Sequence, residues 1–203
     1  ERPHDPHNGA ATLRTAEALG LLDVHIIQGE DRFSFSRKVT ISAHKWLNVY
    51  VHDSTESCLG LLRGAGYRLW AALPPALGSD PHAAVAVDAL QPTALVFGNE
   101  HAGLTDEAIA ACGGRFHLPM FGFTESYNLS VSVALALQQV AASRRKAIGR
   151  LGDVTGEARD RLRAAYYARS TRHALKILLN HLSTMEQERG AHGSEIVQGS
   201  VSS

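Results

Sequence analysis

Cysteine is nearly absent from the chain. Cys58 and Cys112 are the only two in 203 residues, with no CxxC pair and no histidine cluster beside either. That usage excludes a disulfide framework and fits two reduced thiols on helices of a cytoplasmic protein. Long apolar runs are also missing: nothing approaches the roughly 20 residues a membrane span requires. No signal or transit peptide pattern opens the chain. Lys plus Arg and Asp plus Glu balance at 20 each, so the chain as a whole is not a generic polycation for nucleic acid. Eleven histidines are scattered without HExxH or any other ligand spacing, which predicts no metal site. There is no Walker loop, no GxSxG elbow and no kinase signature. Gly98 and Gly103 of FGNEHAG do not complete a GxGxxG dinucleotide loop, and Ser126 has no His or Asp partner in sequence that would make it a hydrolase nucleophile.

What is present is an ordinary globular composition, 44% hydrophobic and 20% charged, in a chain long enough to bury a sizeable core. Strand and helix patterns alternate. A helix is expected over Ala10 to Leu19, with Asn8 as N-cap and Gly20 closing it, followed by a strand at Val24 to Ile27. After a polar loop from Gln28 to Ser42 come a strand within Lys45 to Val51, a helix from Ser54 to Gly66 capped by Ser54, and a strand from Arg68 to Leu73. Gly78 to Pro92 reads as a loop. The strands are continuously apolar rather than alternating, which argues for an α/β fold with a mostly parallel sheet flanked by helices. Strand–helix–strand logic also expects a strand before Glu1.

The most informative stretch is Thr93 to Val140. It reads as a strand to Phe97, a polar turn from Gly98 to Gly103, a short helix opened by Thr105 and a strand from Arg115 to Leu118. A loop around Pro119 and Gly122 then leads to a long helix from Ser126 to Lys146. Loops at the ends of strands are where an open α/β sheet usually holds its ligand. Beyond a Gly-rich break at Gly149 to Gly156, two helices are expected, Glu157 to Tyr167 and Thr171 to Leu182. The second carries a stripe of Leu175, Leu178, Leu179 and Leu182 that suits a packing face. Between Arg144 and Lys176 there are ten basic residues against three acidic ones, half of all Lys and Arg in one segment, the kind of stripe that phosphate backbones select. The expected organisation is therefore a domain over 1–147, a basic helical extension over 148–183 and a tail over 184–203 too polar to pack.

Three segments, NGAATLRTAEALGLL with Asn8 and Arg14, TALVFGNEHAGLT with Gly98, Asn99, Glu100 and Gly103, and LPMFGFTESYNLSVSVALAL with Met120, Ser126, Asn128 and Ser130, closely resemble the three motifs of the SpoU/TrmH methyltransferases of the SPOUT superfamily. They stand in the same order and at similar spacing. The C-terminal region is similar to the extension of the tRNA (guanosine-18-2'-O-) methyltransferases.

The resemblance implies a SPOUT fold with a deep trefoil knot in its C-terminal part, a rare exception to unknotted topology. It implies S-adenosylmethionine bound in that knot by Ala72, Phe97, Gly98, Asn99, Gly103, Leu118, Met120 and Tyr127. A homodimer is implied in which Arg14 reaches toward the cofactor of the other chain. Arg14, Asn8, Glu100, Ser126 and Asn128 take the catalytic positions. Because a guanidinium stays protonated, Arg14 is expected to grip a phosphate and the developing 2'-alkoxide while a phosphate or water accepts the proton. Asn8 and Glu100 are expected to orient Arg14. For RNA contacts the expectation falls on Arg144, Arg145, Arg163, Arg169, Arg172 and Lys176, with tRNA guanosine 18 as target. Two alternatives stand beside it: a methyltransferase acting on ribosomal RNA, and a non-catalytic knotted RNA-binding protein.

Overall fold

The computed structural model describes residues 1–29, 45–75, 90–171, 173–174 and 176–184. The expected loops over Gln28 to Ser42 and Gly78 to Pro92 fall largely outside these residues, as do Arg172, Leu175 and the tail from 185.

Strands and helices alternate as α1 (Pro6–Ala18), β1 (Asp23–Ile27), β2 (Asn48–His52), α2 (Thr55–Gly64), β3 (Arg68–Ala72), β4 (Thr93–Val96), α3 (Asp106–Ala111), β5 (Gly114–Phe116), α4 (Leu129–Ile148) and α5 (Gly156–Ser170). The strand pairings among the described residues are all parallel. β1 runs beside β2 with His25 opposite Tyr50, and β3 lies between β4 and β5 with Trp70 opposite Leu95 on one side and Gly114 on the other. The expected parallel α/β architecture is what the chain adopts. Glu1 and Arg2 tie the two sheets at their C-terminal ends: the Glu1 amine donates to the Phe97 carbonyl at 2.7 Å and the Arg2 amide to that of Ile27 at 2.8 Å.

Local chemistry explains the element boundaries. α1 starts at Pro6, earlier than expected, because Asp5 rather than Asn8 is its N-cap: the Asp5 carboxylate accepts from the His7 amide at 2.8 Å and Pro6 presets the first helical φ. Asn8 sits inside the first turn, and its amide is released for another task. Gly20, at φ +79°, closes the helix, with its own amide on Glu17 and that of Leu21 on Ala16. Ser54 and Thr105 cap α2 and α3 as the sequence predicts, through Ser57 N–H and Ala108 N–H. α4 begins at Leu129 rather than Ser126, since Asn128 is its N-cap and accepts from Ser130 N–H at 2.9 Å.

Three apolar clusters bury the faces that result. Leu13 and Ala16 of α1 meet Leu47, Val24, Val49 and Leu137 of α4. Ile27, Leu69 and Val96 lie under Cys58, Leu59 and Leu62 of α2 and Ala108 of α3. Phe116 and Ala136 join Trp70, Ala72, Phe97 and Leu118 beneath α4. Cys58 belongs to the second cluster, and burial pushes its thiol up to about 11.

The chain divides into Glu1–Asp153 and Val154–Ser203. The boundary lies six residues beyond the expected 147, because the turn after α4 is bound back to it: Arg144 pairs with Asp153 at 2.7 Å and Arg145 Nε donates to the Leu151 carbonyl at 3.3 Å. In the second unit α5 buries none of its residues, and helical turns over 176–184 leave Ile177, Leu178, Leu179 and Leu182 exposed.

Candidate active site

The C-terminal ends of β4, β3 and β5 lie side by side, which brings together the turn after Val96, the segment after Ala72 and the loop after Phe116. This is the edge at which a parallel sheet holds ligands. Ala72, Phe97 and Leu118, far apart in sequence, share the one apolar cluster under α4, and the Phe97 and Phe116 rings meet edge to face at 6.0 Å. The Leu73 amide donates to the Phe116 carbonyl at 3.0 Å and fixes the spacing of two of these ends.

Gly98 to Gly103 form a closed turn. Asn99 and Gly103 exchange backbone hydrogen bonds at 2.9 Å in both directions, and the Asn99 side-chain oxygen accepts from His101 N–H at 2.8 Å and Ala102 N–H at 3.1 Å. A Cβ on Gly98 would lie 2.1 Å from the Gly103 carbonyl carbon and 2.2 Å from the Leu104 nitrogen, so no other residue fits. Gly103 is needed for a different reason, its φ of +70°. Gly122, by contrast, has open space where its Cβ would go. The loop it belongs to is held instead by the Tyr127 hydroxyl, which donates to the Pro119 carbonyl at 3.1 Å. Met120 is half-buried within that loop, while Phe121, Phe123 and Ser126 are exposed.

The turn presents Glu100 to the start of α1. Its carboxylate accepts from His4 N–H at 2.9 Å, Asp5 N–H at 3.2 Å and the Asn8 side-chain amide at 2.9 Å. Burial works against ionisation here, but the His4, Asn8 and Asp5 donors outweigh it and hold the carboxyl below the usual range. The positive end of the α1 dipole favours the same charge. Asn8, 8% exposed, passes the connection on: its oxygen accepts from the Asn128 amide at 3.0 Å, and Asn128 in turn accepts from Ser130 N–H at 2.9 Å and Ser130 Oγ at 2.7 Å. Glu100, Asn8 and Asn128 therefore form one relay linking the β4 turn, α1 and α4.

Arg14 is not part of it. Six residues beyond Asn8 on α1, it lies about 9 Å farther along the axis and about a third of a turn away in azimuth, exposed and without a hydrogen bond among the described residues. The expected orientation of Arg14 by Asn8 and Glu100 is not seen: those two bind each other and the α1 N-terminus. Ser126, likewise, makes no hydrogen bond among the described residues.

The basic residues separate into two groups. Arg145 sends Nη2 to the Leu19 carbonyl at the C-terminus of α1, at 2.5 Å, and Arg144 is held by Asp153, so both are engaged in bracing the first unit rather than presented as a cationic surface. Arg163 and Arg169 lie exposed on α5, with Arg163 4.0 Å from Asp160 and Arg169 over the Tyr166 ring at 5.9 Å, and Lys176 is exposed on the turns that follow. Sequence reasoning missed Asp5 as the true cap and Arg145 as a helix-end ligand. It also missed the Glu1 carboxylate, which accepts from the Thr55 hydroxyl at 2.5 Å and the Thr105 amide and hydroxyl at 2.8 and 2.7 Å, bridging the starts of α2 and α3. Only Asp5, in the pattern Asp-Pro, carried a local signal.

The model of the SpoU rRNA Methylase family matches residues 1–138. A tRNA (guanosine(18)-2'-O)-methyltransferase of Thermus thermophilus is 33% identical over 147 residues, 72% of this chain and 74% of that protein. The A. aeolicus TrmH/SpoU tRNA modifying enzyme superposes with a TM-score of 0.68 at 24% identity, over 84% of this chain and 87% of its own, a likeness of fold. An AdoMet-bound rRNA methyltransferase from Sinorhizobium meliloti is 26% identical with a TM-score of 0.60, over 70% of this chain and 54% of that one.

Proposed function

Since the chain belongs to the SpoU rRNA Methylase family, we propose that it transfers the methyl group of S-adenosylmethionine to a ribose 2'-hydroxyl of RNA, with guanosine 18 of tRNA as the target. The observation that carries this reading is the Glu100–Asn8–Asn128 relay, which joins one polar residue from each of the three motifs across sequence separations of 92 and 120 residues. No packing requirement calls for three polar side chains to meet there, and a purely structural site would cost less if it were apolar.

Half-buried Ala72, Phe97, Leu118 and Met120 at the strand ends suit the apolar body of an adenosyl group, while the tight Gly98 turn and the Tyr127-locked loop offer backbone groups to its polar edges. When bound there, S-adenosylmethionine supplies an electrophilic methyl on a sulfonium. The chain's own task is to hold the ribose oxygen in line and to stabilise its developing charge. Arg14 is the group suited to the second part. It grips a phosphate and the 2'-oxygen, and the proton leaves to phosphate or water, because the guanidinium itself keeps its proton.

Arg14 points away from its own relay, which favours a site completed by a second copy. Val131 and Leu135 on α4, and Phe121 and Phe123 on the neighbouring loop, are exposed apolar side chains that suit burial against that copy. A trefoil knot through the 119–128 loop and action in the cytoplasm belong to the same reading. Arg159, Arg161, Arg163 and Arg169 on α5, with Lys176 beyond, suit a tRNA backbone. Ribosomal RNA is the competing substrate, favoured by the likeness to the Sinorhizobium meliloti enzyme.

Radiolabelled methyl transfer to total tRNA and to ribosomal RNA, followed by mapping of the modified nucleotide, tests the proposal. A 2'-O-methyl at guanosine 18 is the expected product. Transfer to ribosomal RNA alone refutes the target, and binding of both substrates without turnover refutes the activity. Arg14→Ala is expected to abolish turnover while leaving cofactor affinity within about twofold; retained methylation sinks the role of Arg14.

A further inference from the structure

On the α2 side of the β1–β2 pair, three side chains that the proposed reaction does not use converge. His25 stands opposite Tyr50 in the parallel register, so His52 is its diagonal neighbour, and the two imidazoles meet with Nδ1 of His25 2.9 Å from Nε2 of His52. Their rings are stacked, centroids 5.2 Å apart, and the Tyr50 ring also stacks with His25 at 4.7 Å. Cys58, in the first turns of α2, brings its sulfur within 4.8 Å of a ring nitrogen of each histidine. The thiol makes no hydrogen bond among the described residues. Both histidines are half-buried and the cysteine is buried, so the group has a dry inner side and a wet outer one.

From this geometry we infer a metal site: His25, His52 and Cys58 bind one Zn²⁺ ion, with water in the fourth position. The donor set decides the class of ion. Two imidazoles and a thiolate select a borderline or soft cation, whereas Mg²⁺ and Ca²⁺ require oxygen ligands, and no carboxylate belongs to this group. Tetrahedral coordination with Zn–N near 2.0–2.1 Å and Zn–S near 2.3 Å places nitrogen atoms about 3.3 Å apart and each about 3.6 Å from the sulfur. The imidazole pair therefore opens by a few tenths of an ångström, and the thiol moves by up to about 1.2 Å, which a change of rotamer supplies. The metal displaces the thiol proton, and the imidazole that donates across the pair shifts its proton to its outer ring nitrogen, so both rings bind as neutral imidazoles. The outer position stays accessible through the half-exposed imidazoles. The ion joins β1, β2 and α2, and β2 pairs only with β1 among the described residues, so it clips a strand that has no second neighbour there.

Titration of the full chain with Co²⁺, a spectroscopic stand-in for zinc, tests this. One equivalent is expected to bind with a thiolate-to-cobalt charge-transfer band and tetrahedral visible bands, both bleached by Zn²⁺. Cys58→Ser is expected to lose the charge-transfer band and Cys112→Ser to keep it. Because Cys58 lies in the core, its variant is checked for a cooperative melt. His25→Gln and His52→Gln, at half-exposed positions, provide the same test if it fails to fold, each weakening Zn²⁺ binding by at least about 100-fold. Absence of the band in the unmodified chain, its survival in Cys58→Ser, or affinities within about twofold for the histidine variants would overturn the site.

Discussion

Replacing Asn8 by Asp changes one atom of the relay and reverses its electrostatics. The side chain keeps its shape and the oxygen that accepts from Asn128, but the amide that donates to Glu100 becomes a second carboxylate oxygen at 2.9 Å. Losing a hydrogen bond to a charged acceptor costs about 1.5–3 kcal/mol. Two unit charges at that separation repel by about 3 kcal/mol at an effective dielectric of about 40, a value suited to a partly exposed pair. The full penalty near 5 kcal/mol is not reached, because one carboxyl takes up a proton and limits it; about 3 kcal/mol at pH 7.5 is expected. The pH dependence gives the sharper signature. In the native chain Glu100 has a folded pKa below its unfolded value of about 4.3, so its contribution is present above that value and is lost as pH falls through the folded one. In Asn8→Asp the pair has a folded pKa raised above the unfolded value. The folded state then holds the extra proton, so the stability of Asn8→Asp relative to the native chain rises as pH falls from 7.5 toward 5; the native chain itself loses some stability there, because burial and His52 lower the pKa of His25. Urea unfolding followed by the fluorescence of Trp46 and Trp70 at pH 7.5, 6.5 and 5.5 measures both. If Asn8→Asp costs less than about 1 kcal/mol, or if its stability relative to the native chain does not climb on acidification, the relay does not operate as described.

Three further perturbations separate roles along the chain. Gly98→Ala, which forces backbone atoms apart from a 2.1 Å approach, is expected to cost at least about 3 kcal/mol and to abolish S-adenosylmethionine binding by calorimetry, whereas Gly122→Ala, with open space at its Cβ, stays within about 0.5 kcal/mol of the native chain. Arg145→Ala removes the ligand of the Leu19 carbonyl and is expected to lower stability by about 1–2 kcal/mol, while Arg163→Ala leaves the melting temperature unchanged but weakens tRNA binding and shallows its salt dependence by about one ion. Thr12 carries a buried hydroxyl with no partner among the described residues, so Thr12→Val is expected to be neutral or to stabilise by up to about 1 kcal/mol in the same urea assay.

Much of this molecule is written locally. The caps Ser54 and Thr105, the glycine after α1 and the apolar runs of β1, β3 and β4 place the elements to within a few residues, because each rests on interactions within one turn or one strand. The boundaries that moved did so where two local signals compete: Asp5 and Asn8 both suit an N-cap, and Asp5-Pro6 prevails because proline presets the first turn. Losing that contest is what frees Asn8 to join Glu100.

By itself the sequence determined the alternating parallel architecture and pointed to the strand-end loops as the candidate site, since periodicity and capping act over a few residues; the need for glycine at 98 and 103 came from the fold, through a Cβ clash and a φ of +70°. Only the tertiary structure decided which polar groups meet. Residues 8, 100 and 128 become a single hydrogen-bonded chain because three strand and helix ends converge at one edge of a sheet. Arg145 is spent on the end of α1, and Arg14 stands apart, because α1 packs on α4 with Leu13 and Ala16 inward and its Arg14 side outward. His25, His52 and Cys58, an unremarkable scatter in sequence, come within 4.8 Å of one another because parallel register makes diagonal neighbours of the histidines and α2 packs beside them.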